Sequence, residues 1–408
     1  MNMAKTHLQC RECKKEYDPT FKYICDECFG PLDVKYNFLP VTKDLFESRE
    51  NTYWRYFELL PIEDKNNIVS IEAGMTPLVK AEKLGKELGL NNLYIKNDSV
   101  NPTYSFKDRP VSVTTTKALE FEFEVLACVS TGNLMGSVAA HGAKAGMKTM
   151  VFYPADLEQG KIQGAAVYGP TMVAVTGNYD HANRFCSELA DNHRWAFVNI
   201  NMRPFYAEGS KTLGYEVAEQ LGWKAPDHCV VPGASGELHT KIWKGLQEFN
   251  DLGLIENLKT KMHLAQPEGC SPIVGAFETG AGHVTPVRPE TIAKSLAIGN
   301  PAAGPYSLEV LRETKGTGVS AEENTIIDGI RLLAETEGIF TETAGGVVIS
   351  SLKKLVEHGK IKKDEVTVAY VTGNGLKTME AMGDFVTPIE TTPDYETFQT
   401  ALAAFQKM

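Results

Sequence analysis

Glu124-Val-Leu-Ala-Cys-Val129-Ser-Thr-Gly-Asn133-Leu-Met-Gly-Ser-Val-Ala-Ala-His-Gly-Ala-Lys-Ala145 holds an apolar run, a short polar turn and a helix pattern in immediate succession. The run over 124–129 predicts a strand, 134–145 a helix and 149–153 the next strand. Strands rich in Val and Ala with a helix between them make the βαβ unit of a parallel sheet. The alternation extends outward. A helix over 111–122 precedes it; a helix over 158–168, a strand over 171–175, a helix over 180–192 and a strand over 196–200 follow. A second series comprises helix 211–221, strand 229–231, helix 240–252, strand 263–266 and strand 366–371. The predicted class is α/β, with two doubly wound open-sheet domains and ligands held in the cleft at the carboxyl ends of the strands.

The flanks are simpler. Residues 37–100 read as a connecting helix over 43–60, a loop, a helix over 81–88 and a strand over 92–96, and an amphipathic helix over 395–407 follows the last strand. Near the N-terminus, Cys10-Arg-Glu-Cys13 and Cys25-Asp-Glu-Cys28-Phe-Gly30 form two C-x-x-C pairs. Thiolates two residues apart share one tetrahedral zinc, and Gly30 permits a tight turn behind the second pair. The gap between the pairs is shorter than the ~15–20 residues of the common ribbon. Two readings therefore stand: a zinc on Cys10, Cys13, Cys25 and Cys28, or a reduced, metal-free ribbon. Four cysteines leave no open coordination position, so such a zinc is structural. Cys128, Cys186, Cys229 and Cys270 lie among apolar residues and read as buried thiols.

With 408 residues the chain has length for two domains and a small appendage. Its net charge of −11 argues against nucleic-acid binding, whose footprint is a basic patch. An anionic small substrate remains compatible, because a cationic pocket can sit within an acidic surface. No apolar run approaches the ~20 residues of a membrane span, and Met1–His7 lacks the apolar core of a signal peptide. A cytoplasmic protein with no membrane partner is expected.

Four segments carry chemistry. In Asn101-Pro-Thr-Tyr-Ser-Phe-Lys-Asp-Arg109, Lys107 sits beside Phe106 at a helix start, where a neutral amine can condense with a carbonyl. Ser130-Thr-Gly-Asn133 joins a strand end to a helix N-terminus; it is either an anion site with Ser130 and Thr131 as extra donors, or a plain N-cap. Pro232-Gly-Ala-Ser-Gly-Glu-Leu-His-Thr240 repeats that geometry with small residues, as a phosphate cradle or a tight βα turn. Tyr370-Val-Thr-Gly-Asn-Gly375 ends a strand and aims the Thr372 hydroxyl at the same cleft. A reactive lysine, a carboxylate cradle, a phosphate cradle and a hydroxyl for a ring nitrogen are together what pyridoxal 5'-phosphate (PLP) requires.

At these residues the chain resembles the threonine synthases of the β-family (fold type II) PLP enzymes, over nearly its whole length. Further matching segments are Ala207-Glu-Gly-Ser-Lys-Thr212, Pro267-Glu-Gly-Cys-Ser-Pro272, Ser295-Leu-Ala-Ile-Gly-Asn-Pro301, Glu337-Gly-Ile-Phe-Thr-Glu342 and Thr372-Gly-Asn-Gly-Leu-Lys377. The resemblance implies the tryptophan synthase β-like PLP fold, divided as a zinc-ribbon-like segment (1–36), a large PLP-binding domain (37–105 with 205–408) and a small α/β domain (106–204). It implies that Lys107 carries PLP and acts as general base. Asn133 would bond the ring hydroxyl, Thr372 would contact the pyridine nitrogen, and Ala234, Ser235, Gly236, Glu237 and Leu238 would hold the cofactor phosphate. The implied reaction turns O-phospho-L-homoserine and water into L-threonine and phosphate, in a homodimer.

The chain departs from the family pattern twice. Ala234-Ser-Gly-Glu-Leu238 replaces a loop that often reads Gly-Asn-x-Gly-Asn, so backbone donors remain while the Glu237 side chain must point away. Asn201-Met-Arg-Pro-Phe-Tyr206 places an arginine three positions earlier than Asn-Pro-Tyr-Arg. Arg203 is then either a bidentate clamp for the substrate phosphate, with Lys211 as a second cation, or the partner of a nearby carboxylate. The alternative enzyme is a cysteate-synthase-like one acting on O-phosphoserine and sulfite. From a different class comes a zinc-dependent interaction or nucleic-acid module that keeps the fold as scaffold, against which the acidic charge and the intact Lys107 both speak.

Overall fold

A computed structural model describes residues 5–157, 159–177, 179–383 and 388–405. In chain order its strands are β1 (Lys5–Cys10), β2 (Glu16–Tyr17), β3 (Leu32–Asn37), β4 (Leu78–Lys80), β5 (Leu93–Asn97), β6 (Val125–Val129), β7 (Lys148–Pro154), β8 (Thr171–Val175), β9 (Ala196–Phe197), β10 (His228–Pro232), β11 (Lys261–Pro267), β12 (Gly318–Ala321) and β13 (Thr367–Val371). Among the described residues they form three sheets. The first is the antiparallel ribbon β2-β1-β3. The second is the parallel sheet β8-β7-β6-β9. The third, β12-β11-β10-β13-β5-β4, is parallel except for β4, which runs against β5.

Every residue of β10 and β13 is buried, as expected of apolar parallel strands covered on both faces. From β10 the chain steps outward to β11 and β12, then returns to insert β13 between β10 and β5. That reversal is a topological switch point, and the loops leaving β5, β10 and β13 open side by side at it.

Helices Ile326–Glu337 and Thr343–Glu357 cover one face of this sheet and belong to its core. Their closeness depends on glycine: a Cβ on Gly329 would meet the Gly346 carbonyl oxygen at 2.5 Å, and one on Gly346 the Ile326 oxygen at 2.3 Å. The sequence series omits these helices and β12 with them; Thr343–Glu357 is buried over nearly its whole length, with Lys353 and Glu357 reaching solvent.

Two expected elements differ. The helix expected over 43–60 breaks into Lys43–Glu47 and a tight turn over Tyr53–Leu59, separated by the extended Thr52. Tyr53, Trp54, Tyr56 and Phe57 are all buried, so the segment has no solvent face to present. The strand over 196–200 stops at Phe197, because the Asn201 side chain accepts from Phe197 N and donates to Trp195 O, pulling the chain into a turn. The C-terminal helix spans Tyr395–Phe405, and residues 406–407 of its expected range lie outside the described residues. Among the described residues no helix is long and apolar enough to cross a membrane.

Candidate active site

The loop carrying Lys107 is fixed from below. Asp108, the first residue of helix Asp108–Glu120, accepts from Thr103 N at 2.7 Å and Thr103 Oγ1 at 2.6 Å. Arg109 is fully buried: Nε and Nη2 bond the Asp98 carboxylate at 2.6 and 2.9 Å, and Nη1 and Nη2 grip Glu216. Lys96 Nζ reaches Glu216 Oε2 at 2.6 Å. Burial works against the charge on Glu216, but Arg109 and Lys96 outweigh it and hold its carboxyl at about 2. Asp98 follows β5 and Arg109 opens the next helix, so this ion cluster clamps both ends of the turn between them.

Above the clamp, Phe106 N donates to Thr372 O at 2.9 Å, and Ser105 pairs with Gly373. The loop after β5 is thereby tied to the end of β13. Lys107 Nζ donates to Tyr206 Oη at 2.9 Å and lies 4.5 Å from the centre of the Phe106 ring. Thr372 is 3 % exposed, and among the described residues its hydroxyl has no protein partner.

Asn133 opens helix Asn133–Ala145, and its Nδ2 donates to both carboxylate oxygens of Glu342, at 2.9 and 3.0 Å. Glu342 N in turn donates to Gly373 O at 3.0 Å. A Cβ on Gly373 would fall 2.2 Å from Glu342 Oε1, so the glycine makes room for the carboxylate. Burial raises the Glu342 carboxyl above the ordinary range; the Asn133 bond and the charges of Lys377, Lys161 and Lys107 pull it partly back. Glu342 thus joins Asn133 to the end of β13, within the field of Lys107, a role not assigned from sequence. Tyr206 was likewise not singled out. The signal for Glu342 was membership of a matching segment, which carries no orientation; Tyr206 ends the segment that departs from the family pattern.

The expected carboxylate cradle follows β6. Ser130 Oγ accepts from Gly132 N at 3.1 Å, and Thr131 stands half-exposed beside it. The expected phosphate cradle follows β10. Gly236 has φ +87° and precedes helix Glu237–Asp251. A Cβ there would meet Ala303 O at 2.9 Å. Ser235 O accepts from Ala303 N at 2.9 Å. Among the described residues the amides of Ala234, Ser235 and Gly236 have no protein acceptor. The first amides of the helix, including those of Leu238 and His239, lack intrahelical partners by construction. These donors suit a phosphate, and the Glu237 carboxylate is turned toward Arg11, with Oε1 3.6 Å from Nη1.

Arg203 begins helix Arg203–Gly209, is exposed, and donates to Asn199 O at 3.2 Å. The expectation for Lys211 fails. Its side chain is fully buried between Glu208 at 2.8 Å and Glu248 at 2.9 Å, over the Tyr36 ring. An ammonium compensating two buried carboxylates has no path to a substrate; it is part of a cluster with Lys241, Lys244 and Asp33 that seats the ribbon.

The ribbon cysteines do converge. Sγ atoms of Cys10, Cys13, Cys25 and Cys28 lie within 4.8 Å of one another, with Cys10–Cys28 at 3.4 Å and Cys13–Cys25 at 3.5 Å. A zinc–sulfur bond of about 2.3 Å sets tetrahedral sulfurs about 3.8 Å apart, so the four fit that ion. Gly30 is not the left-handed residue here; Phe29 is, with φ +57°. A Cβ on Gly30 would meet Cys10 Sγ at 3.0 Å and Cys28 Sγ at 3.2 Å, so its role is space.

Residues 69–373 match the family model described as pyridoxal-phosphate dependent enzyme. The threonine synthase of Methanocaldococcus jannaschii is 40 % identical over 380 residues, covering 91 % of this chain and 93 % of its own. That of Methanosarcina acetivorans is 38 % identical over 383 residues, covering 93 % and 94 %. Among solved structures, a diaminopropionate ammonia lyase from Escherichia coli superposes with a TM-score of 0.67 at 19 % identity, over 85 % of this chain and 95 % of that one. That likeness speaks for the fold alone. The switch-point cleft, its lysine and its two helix-capped loops are those of a cofactor enzyme, and the chain belongs to the pyridoxal-phosphate-dependent enzymes.

Proposed function

We propose that this protein is a threonine synthase, converting O-phospho-L-homoserine and water to L-threonine and phosphate. The observation that carries the reading is the placement of Lys107, Asn133 and Thr372 around one cleft, in a chain 40 % identical to a threonine synthase. Bound PLP supplies an electron sink for negative charge developing on the substrate carbons.

The chain's own residues supply the rest. Amides of residues 234–238 would hold the cofactor phosphate, Asn133 would serve the ring hydroxyl, and Thr372 would serve the pyridine nitrogen. Ser130, Thr131 and the start of helix Asn133–Ala145 bind the substrate carboxylate, where a helix N-terminus favours an anion. The Lys107 amine takes the proton from Cα and moves protons at Cβ, with Tyr206 Oη fixing its position. Phosphate leaves from Cγ with the C–O electron pair as one Cβ proton is lost. Cγ then takes up a proton to become the methyl group, water adds hydroxide at Cβ and yields its other proton to the released phosphate, and Cα regains its proton. Arg203 binds the leaving phosphate; its exposure leaves it free to do so. The cysteine tetrad holds a structural zinc, and the working unit is a cytoplasmic homodimer.

The test compares phosphate release from O-phospho-L-homoserine with release from O-phospho-L-serine plus sulfite. Turnover of the first, abolished in Lys107→Ala, supports threonine synthase. Turnover of the second alone would establish the cysteate-synthase-like alternative instead.

A further inference from the structure

Arg11 follows the ribbon cysteine Cys10, yet its side chain serves the body of the protein. Besides its 3.6 Å approach to Glu237, its guanidinium lies 3.5 Å from the centre of the Tyr306 ring, and Tyr306 donates to Glu12. Glu237 is the first residue of helix Glu237–Asp251, and Tyr306 belongs to helix Gly304–Glu313. The second helix leans on the loop between: Ala303 O and Ser307 Cβ are the atoms nearest to where a Gly236 side chain would stand. Arg11 therefore touches both walls of the amide cradle. Its backbone is fixed within the ribbon, Arg11 N donating to Pro31 O at 2.9 Å and Cys10 N to Lys15 O at 2.9 Å.

A carboxylate at the first position of a helix is attracted to the same partial charge, roughly +0.5 e, that a phosphate there would use. Without a partner, Glu237 competes for those amides and repels a dianion. We propose that Arg11 is a positioning residue of the cofactor-phosphate cradle: it holds Glu237 outward and cancels its charge. The ribbon is then part of the cofactor site, and the cysteine tetrad fixes the platform from which Arg11 reaches it. This inference rests on the reading that residues 234–238 hold the PLP phosphate.

Titration of the apoprotein with PLP, followed by absorbance of the bound cofactor, tests it without recourse to activity. Arg11→Gln raises the PLP Kd about tenfold at low salt, and the difference shrinks at high salt as charges are screened. Adding Glu237→Gln to Arg11→Gln recovers most of the loss. An unchanged Kd in Arg11→Gln, or a loss that the double variant fails to recover, would overturn the proposal. Gly236→Ala separates the premise from the inference, since its Cβ collides with Ala303 O. If Gly236→Ala leaves the Kd unchanged, the cradle reading itself falls.

Discussion

Asn133 and Glu342 come from different sheets' connections, and both carboxylate oxygens of Glu342 accept from the Asn133 side-chain amide. With Nδ2 held, Asn133 has one orientation toward the cleft. Losing a charged hydrogen-bond partner costs roughly 1.5–3 kcal/mol, or about 10- to 100-fold in rate if orientation is what it secures. Glu342→Ala is expected to lower kcat by that factor and to shift the absorbance of the bound cofactor while the protein still binds PLP. Wild-type kcat and spectrum in Glu342→Ala would remove Glu342 from the site.

Thr372 offers a hydroxyl, which does not enforce a protonated ring as a carboxylate does. Thr372→Asp is expected to strengthen the electron sink and broaden the bonds that break. Product analysis with phosphohomoserine should show side products such as 2-oxobutanoate rising relative to threonine. An unchanged product ratio would argue that Thr372 lies away from the ring nitrogen.

Arg203 and Lys211 separate cleanly. Arg203→Ala should raise KM for phosphohomoserine about tenfold with PLP affinity and thermal midpoint retained. Lys211→Met removes the ammonium that Glu208 and Glu248 share, leaving Glu208 to Lys241 and Lys244 and Glu248 chiefly to the Tyr215 hydroxyl, and should appear as a lowered midpoint. A KM effect from Lys211→Met in a protein of normal stability would reverse this assignment.

Glu216 makes stability depend on pH. Its carboxyl, ordinarily at 4.5, is held at about 2 in the folded protein. The folded state therefore binds the proton less readily than the unfolded chain. The stabilisation is fully present above pH 4.5 and is lost as pH falls toward 2, an amount on the order of 3 kcal/mol. Urea midpoints measured from pH 7 to pH 3 should fall more steeply in wild type than in Glu216→Gln, which is also less stable at pH 7. Parallel curves would contradict the clamp.

What the sequence made legible follows a physical rule. The location of Lys107, Asn133, Thr372 and the loop at 234–238 was readable because each follows a strand or opens a helix, and chain order alone brings such positions to one edge of a parallel sheet. Glu342 was not, because its role depends on a contact across 209 residues. Lys211 misled because a cation near a phosphate-handling segment reads as a ligand until its burial between Glu208 and Glu248 is seen. Helix Thr343–Glu357 escaped because it opens on Thr343-Ala-Gly-Gly346, whose glycines are poor helix formers, and is buried over nearly its whole length.

The central claim is that water is added to carbon after phosphate leaves from Cγ. Turnover of O-phospho-L-homoserine in oxygen-18 water tests it most directly, with phosphate and amino-acid products analysed by mass spectrometry. The account predicts L-threonine and phosphate in equal amounts, with the heavy oxygen in the threonine hydroxyl and none gained by phosphate. Homoserine with labelled phosphate would mean simple hydrolysis of the ester and would contradict the account.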